Sequence, residues 1–318
     1  MDNQKPMDAQ KIEKLVAKFQ ENLSNSNNSV GVAVIKTLTN AIEESTADTF
    51  MGVDIQISDV IKAIKMAYPK LPIHFYGAAQ VFRAGMSKAS DTHSKGNWKA
   101  LFIEHARQTA LEAEKVLRLI PQVSTEFLQH GMTILTNGYD QMVQSALKVA
   151  ASDGRNFHVV ITEGRPRDDG VKMALSLKHP NLKVTVIPDS AVGLWMSKAH
   201  VVLVGTDLVL EDGGLLAPVG TSNLCTLAYT HRKPVYCLCE TFKFMRKYII
   251  GTDDIQEYQR QCDYKPTGAG NESLQDIEID APEFDFTPAK FITLLLTEKG
   301  PMPPSAVTHE LTKLLGVS

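Results

Sequence analysis

Four cysteines in 318 residues are too few, and too scattered, for a disulfide framework or a paired-thiolate metal site. They are Cys225, Cys237, Cys239 and Cys262. Cys237 and Cys239 lie two apart in an apolar run, so as strand residues they point the same way and read as buried thiols in a reducing compartment. No apolar run approaches the roughly 20 residues that span a bilayer. The opening residues, MDNQKPMDAQ, are polar and carry no signal-peptide core. The chain is therefore expected to be soluble and cytoplasmic. An excess of positive charge is also missing: 33 Lys and Arg stand against 36 Asp and Glu, a formal net charge of −3. That excludes the broad basic footprint that phosphate backbones require, so neither nucleic acid nor membrane is expected as a partner. There is no GxxxxGK[ST] loop, which argues against self-contained nucleotide hydrolysis, and no GxSxG nucleophile elbow. The nine histidines show no metal-ligand spacing, and neither metal nor cofactor is expected.

What is present is globular: 43% hydrophobic and 22% charged residues, at a length that suggests two domains of roughly 100–200 residues each. Residues 1–130 read as helical. Ile12, Leu15, Val16 and Phe19 fall at helical spacing. Further helices are expected over Ser58–Ala67 with Ser58 as cap, over Gly77–Met86, and over Trp98–Leu119, where Pro121 ends the helix or starts the next element. The charges of 98–118 read as a solvated helix face. From residue 131 the rhythm changes. Short apolar runs at Met132–Thr136, Phe157–Thr162, Val184–Ile187, Val201–Gly205, Val235–Cys239 and Phe291–Thr297 alternate with helical patterns. The expectation is an α/β chain: a helical N-terminal domain over 1–130, then a Rossmann-like parallel α/β domain over 131–318. Asn271 to Asp285 is polar and acidic, without a clear period, and reads as a long solvated connection.

Ligands of a parallel sheet sit beyond the carboxyl ends of its strands. The residues there are Asn137-Gly138-Tyr139-Asp140, Glu163-Gly164-Arg165-Pro166, Asp189-Ser190-Ala191, Gly205-Thr206-Asp207 and Glu240-Thr241-Phe242. Gly213-Gly214 and Gly220-Thr221-Ser222 complete the rim. Arg165 either clamps a phosphate or carboxylate, or pairs with a local acid such as Asp168. Gly220-Thr221-Ser222 either presents backbone N–H groups to an anion or simply caps a helix. Asp207 either works as a base or hydroxyl ligand, or satisfies loop backbone.

Six collinear strings then resemble one family. They are ILTNGYDQMV from Ile134, VVITEGRPRDDG from Val159, VIPDSAVGLWMSKAHVVLVGTD from Val186, EDGGLLAPVGTSNLC from Glu211, KPVYCLCETFKF from Lys233 and FITLLLTEKGPMPPSAVTHEL from Phe291. The family joins the alpha, beta and delta subunits of initiation factor 2B with methylthioribose-1-phosphate and ribose-1,5-bisphosphate isomerases. The ETFKF segment and the PSAVTHEL ending look like its alpha branch. In the isomerases a cysteine after the first strand and an aspartate after the fourth move protons between sugar carbons. By this resemblance the cysteine position falls on Gly138 and the aspartate on Asp207. The lysine or polar pair of the rim falls on the apolar Ala217-Pro218, and the Arg-Gly-Ala phosphate segment has no counterpart near Ser29–Lys36. The resemblance implies a regulatory subunit, not an enzyme, within the guanine nucleotide exchange factor for initiation factor 2; a sugar-phosphate isomerase and a free-standing phosphometabolite-binding protein are the alternative readings. It implies a homodimer formed through the α/β domain, with the beta, delta, gamma and epsilon subunits as partners. It also implies recognition of the phosphorylated alpha subunit of initiation factor 2, and a vestigial sugar-phosphate pocket at Arg165, Asp207, Gly220, Thr221 and Ser222.

Overall fold

A polar first turn followed by Leu15 and Phe19 one turn apart makes the first helix, α1 (Ala9–Ser24), and both side chains are buried. Its start is fixed by Asp8, whose carboxylate accepts the Gln10 N–H at 3.0 Å. The computed structural model describes residues 7–25, 28–68, 71, 73–91, 98–249, 252–256, 258–264, 266 and 277–315. Four more helices follow: α2 (Val30–Glu43), α3 (Phe50–Ala67), α4 (His74–Asp91) and α5 (Trp98–Thr125). The α2 helix is apolar nearly all round, from Val32 to Ile42, and forms the centre of this helical unit. Its two threonines return their hydroxyls to the backbone: Thr37 bonds the Ala33 carbonyl and Thr39 the Ile35 carbonyl, each at 2.8 Å. Phe19 packs edge-on against Tyr68 and Phe75, with ring centroids 5.7 and 5.9 Å away.

The α3 helix begins eight residues before the expected cap. Thr49 accepts the Gly52 N–H at 3.1 Å, while Ser58 lies inside the helix and donates to the Asp54 carbonyl at 2.9 Å. The α5 helix does not stop at Pro121 but runs through it to Thr125. Beyond the proline, Ser124 donates to the carbonyls of Ile120 and Pro121, each at 2.9 Å, and stays fully buried.

The second half holds β1 (Thr133–Thr136), α6 (Gln141–Ser152), β2 (Phe157–Thr162), α7 (Gly170–Ser176), β3 (Leu182–Ile187), α8 (Val192–Met196) and β4 (Val201–Gly205). Then come β5 (Leu208–Leu210), β6 (Leu215–Pro218), α9 (Thr221–Thr230), β7 (Val235–Leu238), β8 (Phe244–Met245), β9 (Phe284–Thr287), β10 (Leu294–Thr297), β11 (Gly300–Met302) and α10 (Val307–Leu315). The main sheet has seven strands in the order β11-β10-β7-β4-β1-β2-β3. It is parallel except where β11 folds back on β10. The observed class is thus helical first, then parallel-dominated α/β. A second, antiparallel ribbon, β5-β6-β9, was not expected from the sequence.

Two units result, and they are not two consecutive stretches. Met1–Leu119, Glu240–Arg246 and Thr308–Ser318 group as the helical unit; Ile120–Cys239 and Lys247–Val307 group as the sheet unit. The boundary expected at residue 130 instead falls within α5. The Glu240–Arg246 segment supplies core to the helical unit. Phe242 lies on α2 at Gly31, where any Cβ would collide with its ring. Glu240, expected on the rim of the sheet, is fully buried in the helical unit with Lys243 Nζ 2.9 Å from its carboxylate. Burial pushes the Glu240 carboxyl up, but the Lys243 ammonium more than offsets this and holds it below the usual range.

Candidate functional site

In the order β7-β4-β1-β2, the strands on either side of the β4/β1 boundary connect in opposite directions, which opens a crevice beyond their carboxyl ends. One buried amide organises this edge. Asn137, the residue after β1, donates from Nδ2 to Thr221 Oγ1 at 3.0 Å and to the Val219 carbonyl at 3.2 Å. Its Oδ1 accepts the Thr162 hydroxyl at 2.6 Å. Thr162 Oγ1 in turn accepts the Gly138 N–H at 3.3 Å. The ends of β1 and β2 and the start of α9 are thereby joined through a chain of satisfied polar groups.

Gly138 stands next in that loop with φ +53°, a left-handed backbone that glycine tolerates and other residues resist. A side chain there would collide with the Asp169 carboxylate. Gly164 is equally constrained, since a Cβ on it would lie 2.9 Å from the Gly138 Cα. Asp169 accepts the Tyr139 N–H at 3.0 Å and pairs with Arg167 at 3.0 Å. Burial pushes the Asp169 carboxyl up, with Arg167 and the Tyr139 N–H opposing. The Tyr139 hydroxyl is raised too, chiefly by burial and then by Asp140 and Asp169. Asp140 caps α6 through the N–H groups of Met142 and Val143 at 2.8 and 2.9 Å. Its carboxylate lies against Gly205, where any larger residue would collide with it. The crevice between β1 and β4 is thus lined closely by Asp140.

Of the residues expected to bind a ligand, Arg165 is exposed and engaged within its own loop. Its Nε lies 3.3 Å from Glu163 and 3.6 Å from Asp168. The local pairing is what is observed, and it raises the guanidinium further above its ordinary value. The Gly164 and Arg165 backbone N–H groups donate to Asp189 at 3.0 and 3.1 Å. Asp207 is half-buried at the turn from β4 to β5, its N–H donating to the Leu216 carbonyl at 3.0 Å. Gly220 caps α9 with φ +97°, Thr221 opens the helix and donates to the Pro218 carbonyl at 2.7 Å, and Ser222 follows in its first turn. The donors there are not vacant. Gly220 N–H donates to Asp285 Oδ2 at 2.7 Å, and Ser222 N–H meets the same carboxylate at 3.0 and 3.2 Å.

Asp285 escaped the sequence reading because it closes the acidic stretch taken for a solvated connection. The signal was the alternation Phe284-Asp285-Phe286, which is a strand period. On β9 the residue pairs with Ala217 of β6, and this register delivers its carboxylate to α9. Burial pushes Asp285 up to about 7 against the pull of the Ser222 and Gly220 N–H groups. The buried Cys225 thiol is raised strongly, by burial and by Asp285. Among the described residues, no group of three or more His, Cys, Asp or Glu is placed to hold a metal. No described helix is long and apolar enough to cross a membrane.

The sequence profile of the Initiation factor 2 subunit family matches residues 24–304. Translation initiation factor eIF2B subunit alpha of Dictyostelium discoideum is 31% identical over 308 residues, covering 94% of this chain and 96% of that protein. Ribose 1,5-bisphosphate isomerase of Methanocaldococcus jannaschii is 31% identical over 220 residues, 69% of this chain and 70% of the enzyme. Among solved structures, a chain of the tetrameric eIF2B-beta2-delta2 complex from Chaetomium thermophilum superposes with a TM-score of 0.73 at 16% identity. That superposition covers 95% of this chain and 94% of the other.

Proposed function

The chain belongs to the initiation factor 2 subunit family, and from that premise we propose that it is a non-catalytic regulatory subunit of the guanine nucleotide exchange factor for translation initiation factor 2. It helps assemble the complex in the cytoplasm and senses the phosphorylated alpha subunit of initiation factor 2. The observation that carries this reading is the end-to-end likeness to an alpha subunit, 94% of this chain and 96% of the relative. The likeness to the isomerase stops at about two thirds of each chain.

The backbone at Gly138 supports the non-catalytic part. By the resemblance, the isomerases of this family carry a thiol at this position. Here the residue has no side chain, φ is left-handed, and the Asp169 carboxylate stands in the space a cysteine Cβ would need. Asp207 remains, but it stands without the thiol that, by the resemblance, shares the proton transfer with it in the isomerases. Neither ribose 1,5-bisphosphate nor methylthioribose 1-phosphate is expected to turn over. The crevice is proposed to retain a sugar phosphate as a ligand. That part fails if calorimetry detects no heat across a panel of sugar phosphates.

Self-association is also part of the proposal. Val171 and Leu175 on α7, Val186 on the edge strand β3 and Leu194 on α8 are exposed apolar side chains on β3 and on the helices that precede and follow it in the chain. Exposed apolar side chains of this size are costly in water, and burial against a second copy would remove them from it. The deciding experiment for the role is a tagged pull-down from native extract, with phosphorylated and unphosphorylated initiation factor 2 offered in parallel. Recovery of the beta, delta, gamma and epsilon subunits, with stronger capture of the phosphorylated factor, is expected. Recovery of the chain alone would overturn the reading.

A further inference from the structure

The last turn of α9 carries an exposed aromatic and cationic surface. Tyr229 is 59% exposed, and its ring meets the Phe291 ring edge-on with centroids 5.3 Å apart. Lys290 Nζ lies 5.0 Å from the centroid of the Phe291 ring. Arg232 and Lys233 follow the helix, and the Arg232 N–H donates to the Tyr229 carbonyl at 3.1 Å. The two stretches are held side by side: the Thr293 N–H donates to the Val235 carbonyl and the Val235 N–H to Thr293 Oγ1, each at 2.9 Å. Neither α9 nor the turn Ala289–Phe291 has an acidic side chain. Among the described residues Arg232, Lys233 and Lys290 have no ion pair. A helix C-terminus favours cations on its own last turn. That accounts neither for an exposed tyrosine nor for Lys290, which arrives from another element.

The chain also carries a segment of opposite character. Ile277-Glu278-Ile279-Asp280 is exposed throughout, with Ile277 at 61% and Ile279 at 37%. This segment does not reach the Tyr229 end of its own α9. From Ala281 to Thr287 the backbone is extended: the Ala281 carbonyl accepts the Cys262 N–H at 2.8 Å, the Glu283 carbonyl accepts the Val219 N–H at 3.0 Å, and Phe284–Thr287 form β9. At roughly 3.3 Å per residue this run puts about 23 Å between Asp280 and Pro288, and the segment itself spans only about 13 Å. The run passes the start of α9 at Asp285 and meets its last turn at Phe291. The acidic segment and the cationic patch therefore lie beyond opposite ends of a helix about 15 Å long.

We propose that a second copy of this chain covers this face with its α9 antiparallel to the first, so that the Tyr229–Arg232–Lys290 patch of each copy receives the Ile277–Asp280 segment of the other. The inference rests on the self-association proposed above and names its contact. A two-fold axis makes every contact reciprocal. A helix with complementary groups beyond its two ends meets that condition when two copies run antiparallel. The isoleucines then cover the Tyr229 ring, and Glu278 and Asp280 supply the counter-charges that the patch lacks in its own copy. Between the ends α9 has no charged side chain, and its exposed Asn223 and Thr226 are small and neutral, so nothing there opposes close approach. The α8 helix, which carries the exposed Leu194, packs against α9, so the patch continues the apolar surface already assigned to self-association. Single-stranded nucleic acid is the poorer occupant. Phe291 is half-buried against Tyr229, which leaves one aromatic platform where successive bases need several.

The test is sedimentation of the full chain and of two charge-reversed variants, Arg232→Glu with Lys290→Glu, and Glu278→Lys with Asp280→Lys. Each variant alone sets like charge against like and should dimerise at least about tenfold more weakly than the natural chain. An equimolar mixture of the two should regain the natural association, because every reversed patch then faces a reversed segment. Misfolding gives no such rescue. Asp280 also accepts Gln261 Nε2 at 2.8 Å, so Glu278→Lys alone is the milder form of the second variant. Should a variant not fold, the natural chain decides by carbodiimide crosslinking of mixed nitrogen-14 and nitrogen-15 copies. Mixed-isotope peptides joining Lys290 or Lys233 to Glu278 or Asp280 are expected, and their absence overturns the proposal. Dimers that persist unchanged in both variants overturn this contact and leave the self-association reading standing. A natural chain that stays monomeric overturns both, and binding of a uridine dodecamer by that monomer would assign the patch to nucleic acid instead.

Discussion

Two acidic residues and one glycine carry most of the chemistry at the carboxyl edge of the sheet. Asp285 makes a direct prediction for stability. A carboxyl whose folded value, about 7, lies above its unfolded value binds its proton more tightly in the fold. Its contribution is therefore most favourable below pH 4 and is lost as pH rises towards 7, at up to about 1.4 kcal/mol per pH unit. Denaturant melts of the natural chain and Asp285→Asn, run from pH 4 to 8, should diverge with that sign: the natural chain loses stability relative to the variant as pH rises. Gly138 predicts in the opposite sense, through sterics. Gly138→Ala should cost at least about 1–2 kcal/mol from the left-handed backbone alone, and more from the collision with Asp169. Adding Asp169→Ala should recover the collision part and leave the backbone part. Gly138→Cys should remain without isomerase activity, because a thiol forced into this loop displaces Asp169 and the Tyr139 N–H it holds. Turnover above background by Gly138→Cys would show that the missing thiol alone had silenced the site.

At the scale of elements, local signals and tertiary contacts disagree in instructive places. The helical spacing of Leu15 and Phe19 is visible in the sequence because one face meets the core at every turn. The start of α3 was not visible, since both Thr49 and Ser58 are good caps and only packing decides which one the chain uses. Thr49→Ala should therefore destabilise the helical unit by about 1 kcal/mol, while Ser58→Ala should be nearly neutral in the same melts. The α2 helix carries a glycine for a reason no local rule supplies. At Gly31 the Phe242 ring, more than 200 residues along in the sequence, lies where a methyl group would go. Gly31→Ala gains about 1 kcal/mol of helix propensity but overpacks a filled site at about 1–3 kcal/mol. A net loss is expected, and Phe242→Leu in the same chain should soften it, which a double-mutant cycle would read as coupling.

For the molecule as a whole, self-association is the property to test first. If the β3 edge meets a second copy, Leu194→Asp should shift the chain from dimer to monomer in sedimentation, and Leu175→Asp should act in the same direction. The melting temperature of the natural chain should also rise with protein concentration, whereas that of Leu194→Asp should not. An unchanged dimer in both variants would place the contact elsewhere on the surface. The order of elements, the parallel sheet and the loops that form its rim were legible in the sequence, because strand and helix periods are local and the residues after each strand follow directly. The resemblance read from the sequence also assigns Gly138 to the position of the isomerase thiol. What the sequence did not determine are the non-local placements: β5, β6 and β9 as one ribbon, the Glu240–Arg246 segment buried in the helical unit, and Asp285 seated on α9. Each depends on a partner tens to hundreds of residues away. Burial and hydrogen bonding give such a residue its role only when the chain has closed around it, and that closure belongs to the tertiary structure.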